Sequence, residues 1–106
     1  SLKFANSVMT LHWHAEAQIE FEEAAIYYEE QVEGLGERFV TRIEAAAARV
    51  LTNPLMPCCF DGECRKVKTD KFPYLIIYRV KNEELQILAI AHTSRRPGYW
   101  KERAKS

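Results

Sequence analysis

Lys71-Phe72-Pro73-Tyr74-Leu75-Ile76-Ile77-Tyr78 is the stretch on which the fold turns. Pro73 locks its own φ and biases Phe72 towards extended backbone, so the segment opens as a turn. The aromatic and β-branched run behind it reads as a buried strand over residues 74–80. Two more strand-like runs flank it, at 64–70 and 85–92. Phe72-Pro73 and Asn82-Glu83 punctuate the three, and connections this short join consecutive antiparallel strands. The second half of the chain is therefore a three-strand meander.

The first half changes period. Thr10 to His14 alternates Leu11 and Trp13 with His12 and His14, a short strand. Ala17, Phe21, Ala24, Ala25, Tyr28 and Val32 then recur at three- and four-residue steps, the apolar stripe of a helix. Glu16, Glu20, Glu23 and Glu30 are expected on its outer face. Gly34-Leu35-Gly36 stops this helix and starts another, with Phe39, Ile43, Ala46, Ala47 and Val50 as its stripe. Asn53-Pro54 closes it. Helices joined by so short a loop pack as an antiparallel hairpin. The fold class is α+β: an N-terminal strand, an antiparallel two-helix hairpin and a three-strand antiparallel meander, helices on one face of the sheet.

At 106 residues, 47% hydrophobic and 28% charged, the chain is one soluble domain with a single core. Residues 9–106 are taken as that domain; residues 1–8, before Met9, are set aside as an upstream extension or cloning remnant. No apolar run approaches the roughly 20 residues of a membrane helix, so no membrane partner and a cytoplasmic location are expected. The net charge of zero hides a split. Residues 1–53 hold 4 Lys/Arg against 9 Asp/Glu, and residues 54–106 hold 11 against 6. The C-terminal half is the one suited to face a polyanion. Cys58, Cys59 and Cys64 are odd in number and lack paired zinc spacing, so reduced thiols, no metal and no cofactor are expected.

Two groups of residues could carry chemistry. Alternation sets Lys66 and Lys68 side by side on the sheet face away from the helices, with Arg79 and His92 opposite them. The plain alternative is the wet side of a one-faced sheet. Tyr74 and Tyr78 share the other face with Ile76 and Val80. His92, Arg95, Arg96, Tyr99, Trp100 and Arg103 crowd the end of the last strand, cations beside rings, which suits an anionic or nucleic-acid partner. A second arrangement has Trp100 capping the core and Arg103 pairing with a helix glutamate, leaving only Arg95 and Arg96 free. For Trp100 the core position is favoured, because large rings are mostly buried.

In order and spacing these segments resemble the RelE/ParE toxins of bacterial type II toxin–antitoxin (plasmid stabilization) systems. The similarity rests on Glu-Ala-Ala-Ile-Tyr-Tyr-Glu at 23–29, Gly34-Leu35-Gly36, Phe39, Asn53-Pro54, Arg65, residues 71–78, and His92, Arg95, Pro97, Tyr99, Trp100 and Arg103. It implies a toxin neutralised by a cognate antitoxin, with ParE-like inhibition of DNA gyrase as the favoured activity. The alternative it implies is a RelE-like endoribonuclease cutting mRNA on the ribosome, and a further one is a non-toxic relative that binds its antitoxin or a second copy as a homodimer. Under the nuclease alternative Arg65, Lys66, Lys68, Arg95 and Tyr99 would be catalytic, with His92 as base. The partner-binding set implied is Tyr28, Arg65, Arg95, Arg96, Tyr99, Trp100 and Arg103. Pro97-Gly98 and the lack of a glutamate in the basic strand depart from the nuclease branch.

Overall fold

The structure, a computed structural model, describes residues 10–105; the segment 1–8 set aside above lies outside them. Strand β1 (Thr10–Trp13) leads into helices α1 (Ala15–Gln31) and α2 (Leu35–Thr52), then β2 (Arg65–Lys68), β3 (Tyr74–Lys81) and β4 (Glu84–His92), and a closing 3-10 turn over Lys101–Lys105. The sheet order is β1-β4-β3-β2. The three later strands form the expected antiparallel meander, and β1 pairs parallel to β4. The helices lie on one face, as their stripes require: Ala17, Ala24, Phe39, Ile43, Ala46 and Val50 are buried with Ile76, Tyr78, Leu85, Ile87 and Ile90.

The hairpin between the helices depends on a glycine and a carboxylate. A Cβ on Gly36 would meet the Ala25 carbonyl oxygen at 2.5 Å and the Glu29 Cβ at 2.9 Å, so only glycine lets α2 approach α1 here. Glu29 accepts from the amides of Gly34 at 2.8 Å and Gly36 at 3.0 Å, satisfying donors that the start of α2 leaves open. Gly34 makes the turn itself at φ 84. Val32 departs from its expected stripe: it caps α1 in extended conformation and is 52% exposed.

The far face of the sheet is not simply wet. Cys64, Ile77, Leu88, Ala89, Ala91 and Trp100 form a second apolar cluster there, roofed by the chain after β4. Leu88 and Ala89 both belong to it because β4 carries a bulge: Ile77 pairs with Ala89 and Tyr78 with Ile87, leaving Leu88 as the extra residue. The bulge reverses the alternation beyond it. His92, expected opposite Lys66 and Lys68, instead pairs with Tyr74 on the helix face, ring centroids 5.1 Å apart.

Gly36→Ala is expected to destabilise the fold by about 1–3 kcal/mol through overpacking against α1. The loss is read as a lowered thermal midpoint. Gly34→Ala, with open space around it, should cost only the left-handed backbone penalty of about 1 kcal/mol.

Candidate functional site

Strand β4 sets the problem that the C-terminal array solves. β1 covers its outer edge only as far as Ile87, whose carbonyl accepts from the His14 amide at 2.9 Å. Past that point the edge groups of β4 need other partners. Glu20 of α1 supplies one, Oε1 accepting from the Ile90 amide at 3.1 Å. Arg103 supplies another, donating to the Leu88 carbonyl at 2.9 Å.

Glu20 and Arg103 also meet each other. The guanidinium donates to Oε1 at 2.9 Å and to Oε2 at 3.0 Å, a two-pronged pair whose side chains are only 15% and 13% exposed. Tyr99 donates its hydroxyl to Glu20 Oε2 at 2.7 Å. Its ring lies between two cations, 3.9 Å from the Arg95 guanidinium and 5.1 Å from that of Arg103. Burial first, then the bond to Glu20, holds the Tyr99 hydroxyl well above its ordinary value of 10. Burial alone would lower the pKa of Arg103, but Glu20 outweighs it and the net shift is upward.

Glu20 therefore does not sit on an outer polar face. It is the glutamate that Arg103 was expected to find, and Trp100, 4% exposed, closes the far-face cluster. Its position was readable: Glu20 lies three residues after Ala17 and four before Ala24, both stripe members. Tyr28 is half-buried, its ring 4.9 Å from Phe72 and 5.2 Å from Phe39.

The remaining expected site residues separate. Arg65 pairs with Tyr78 on the helix face and donates to the carbonyls of Leu55, at 3.1 Å, and Pro57, organising the loop 53–60. Lys66 and Lys68 lie across the sheet from it. Lys68 bonds the carbonyls of Thr69 at 3.0 Å and Phe72 at 2.8 Å. Lys66 is exposed, its ammonium 4.7 Å from the Phe60 ring centroid. Arg79 is on that face too but 5% exposed, donating to Gln86 Oε1 at 2.6 Å and to the Ala104 carbonyl.

His92 sits at the rim. Its Nδ1 accepts from the Ser94 amide at 3.0 Å and lies 2.8 Å from the Ser94 hydroxyl, which assigns the ring lone pair to the turn after β4. The structure brings Lys66, His92, Arg95, Arg96 and Tyr99 around a shallow far-face groove of about 230 Å³, floored by Leu75 and Ile77. It leaves Arg65 and Lys68 out. Phe60 at the mouth was not expected from the sequence; an aromatic in a Pro/Gly loop gives no periodic signal.

Over most of its length the chain matches a known family. The profile of the ParE toxin of type II toxin–antitoxin systems, parDE, matches residues 11–97. This chain belongs to the ParE toxin family. A solved structure, a chromosomal ParDE toxin–antitoxin system from P. aeruginosa, superposes with a TM-score of 0.70 at 20% identity, covering 82% of this chain and 98% of that one. At that identity the likeness concerns the fold. A search of curated proteins found no match. Among the described residues no helix is long and apolar enough to cross a membrane.

Glu20→Ala is expected to cost about 3 kcal/mol, because it removes the carboxylate bonded to a largely buried guanidinium. The same variant should speed hydrogen exchange at the Ile90 amide. A loss below about 0.5 kcal/mol, as at an ordinary surface site, would refute the clamp. For alkaline pH the sign is set by the raised pKa values of Tyr28, Tyr74, Tyr78 and Tyr99, burial being the first cause in each. A phenol with a raised folded pKa contributes stability that is present below pH 10 and lost as pH rises through the folded value. Phenolate absorbance of these four should therefore appear together with unfolding, above pH 10.

Proposed function

We propose that this ParE-family toxin acts in the cytoplasm by binding DNA gyrase and blocking its cycle, and that a cognate antitoxin neutralises it. The antitoxin partner comes from the family and from the toxin–antitoxin system named for the structural relative. The choice of gyrase over mRNA cleavage rests on the occupied state of the two groups that proton transfer would need.

An endonuclease working without metal must take a proton from the attacking hydroxyl and return one to the leaving oxygen. Tyr99 already donates its proton to Glu20, with its pKa pushed away from neutrality. His92 already spends its Nδ1 lone pair on Ser94. Arg65 is across the sheet from Lys66, and Lys68 is tied to the turn backbone. What remains on the far face is Lys66, Arg95 and Arg96 beside Phe60 and an apolar floor. Exposed cations beside an aromatic ring are composition that favours recognition of a partner surface.

Purified protein is expected to inhibit supercoiling by DNA gyrase and to trap cleaved DNA on the enzyme, with filamentation and a DNA-damage response in cells. Discrete new 5′ ends in a message under translation, dependent on ribosomes and on this protein, would overturn the assignment. Full gyrase activity at saturating protein would do the same.

A further inference from the structure

A second groove, of about 530 Å³, lies on the opposite side of the molecule between the start of α2 and the turn before β3. Arg38 and Arg42, one helical turn apart, and Lys71 form its cationic wall; Tyr28, Phe72 and Pro73 form its apolar one. All three cations are exposed, and among the described residues none of them meets a carboxylate or carbonyl within bonding distance. Arg38 and Arg42 are notable by position, being two of only 4 Lys/Arg in residues 1–53. Lys71 sits at φ 72, a left-handed conformation that a lysine seldom adopts. Three like charges around one concavity repel each other until an anion enters.

We infer that this groove docks an acidic peptide segment of a partner protein, its carboxylates on Arg38, Arg42 and Lys71 and an adjoining apolar side chain against Tyr28, Phe72 and Pro73. The charge pattern argues for a peptide over a nucleic acid. Tyr28 also lines the neighbouring groove of about 560 Å³, whose walls carry Glu23 on the α1 side and Glu20, paired with Arg103, with Arg95 at its far end. A phosphate chain that followed the track past Tyr28 would run against Glu23 and the acidic face of α1. A peptide changes charge from residue to residue and meets both ends: acidic residues at the arginines, then an apolar or basic residue near Glu23. Arginine forks hold carboxylates in two-point geometry, so the contact carries direction as well as attraction. The inference does not depend on gyrase being the target.

The test is a titration of isotope-labelled protein followed by amide chemical shifts. The probe is a short synthetic peptide with three glutamates followed by leucine and arginine. A form with lysines for the glutamates and a thymidine oligonucleotide serve as comparisons. The expected result is saturable shifts at Tyr28, Arg38, Arg42, Lys71 and Phe72 with the acidic peptide and none with the lysine form. Arg38→Glu/Arg42→Glu should weaken binding about tenfold or more, the scale of losing two charge-assisted contacts. Both positions are exposed on α2, so the variant is expected to keep the native spectrum. No shifts, shifts confined to the loop 53–60, or an unchanged affinity in the folded double variant would overturn the inference. Tighter binding of the oligonucleotide to the same amides would overturn it in favour of nucleic acid.

Discussion

The edge of β4 beyond Ile87 is the constraint on which the rest of the structure depends. A buried backbone amide or carbonyl without a partner costs about 1–3 kcal/mol. β1 is too short to cover the edge, so Glu20 and Arg103 cover it from the two sides. Because the two also form a charged pair, one interaction fixes α1 to the sheet and the C-terminal segment to both. Tyr99 adds a fourth bond to the same carboxylate, and Trp100 is thereby seated over Cys64, Ile77 and Ala91. In this nearly dry setting each charge offsets the other.

That constraint separates structure from recognition within the C-terminal array. Tyr99, Trp100 and Arg103 hold the fold together. Arg95, Arg96 and Lys66 remain exposed at the groove they border. At this face the Tyr99 hydroxyl is bonded to Glu20 and the His92 Nδ1 to Ser94, which is the ground for the function proposed above. Such a surface suits a toxin that works by occupying a partner. The cationic groove beside α2, proposed above as a docking face for an acidic peptide, is lined by a different set of residues.

Much of this was legible in the sequence because periodicity reports burial. The α2 stripe is buried throughout, from Phe39 to Val50, and the alternation of Tyr74, Ile76, Tyr78 and Val80 places them on the helix face as read. The bulge at Leu88 was not legible. Residues 87–91 are continuously apolar, Ile-Leu-Ala-Ile-Ala, so an extra residue leaves no break in pattern and no glycine marks it. That hidden residue is what sent His92 to the other face. Glu20 was misread for a related reason: a glutamate at the margin of an apolar stripe looks solvated until its distant arginine, 83 residues away, is placed. Val32 shows the same limit, its spacing fitting a helix that had already ended.

The central proposal is that Tyr99 and Lys66 do no chemistry, the first because its hydroxyl is spent on Glu20 and the second because the His92 Nδ1 lone pair at the same groove is spent on Ser94. Growth arrest on induction of Lys66→Ala and Tyr99→Phe, singly and together, tests it most directly, with the thermal midpoint of each purified variant measured alongside. The account predicts that both variants still arrest growth, Tyr99→Phe at a lowered midpoint through loss of its bond to Glu20. Arrest abolished in a variant that remains folded at the growth temperature would contradict it.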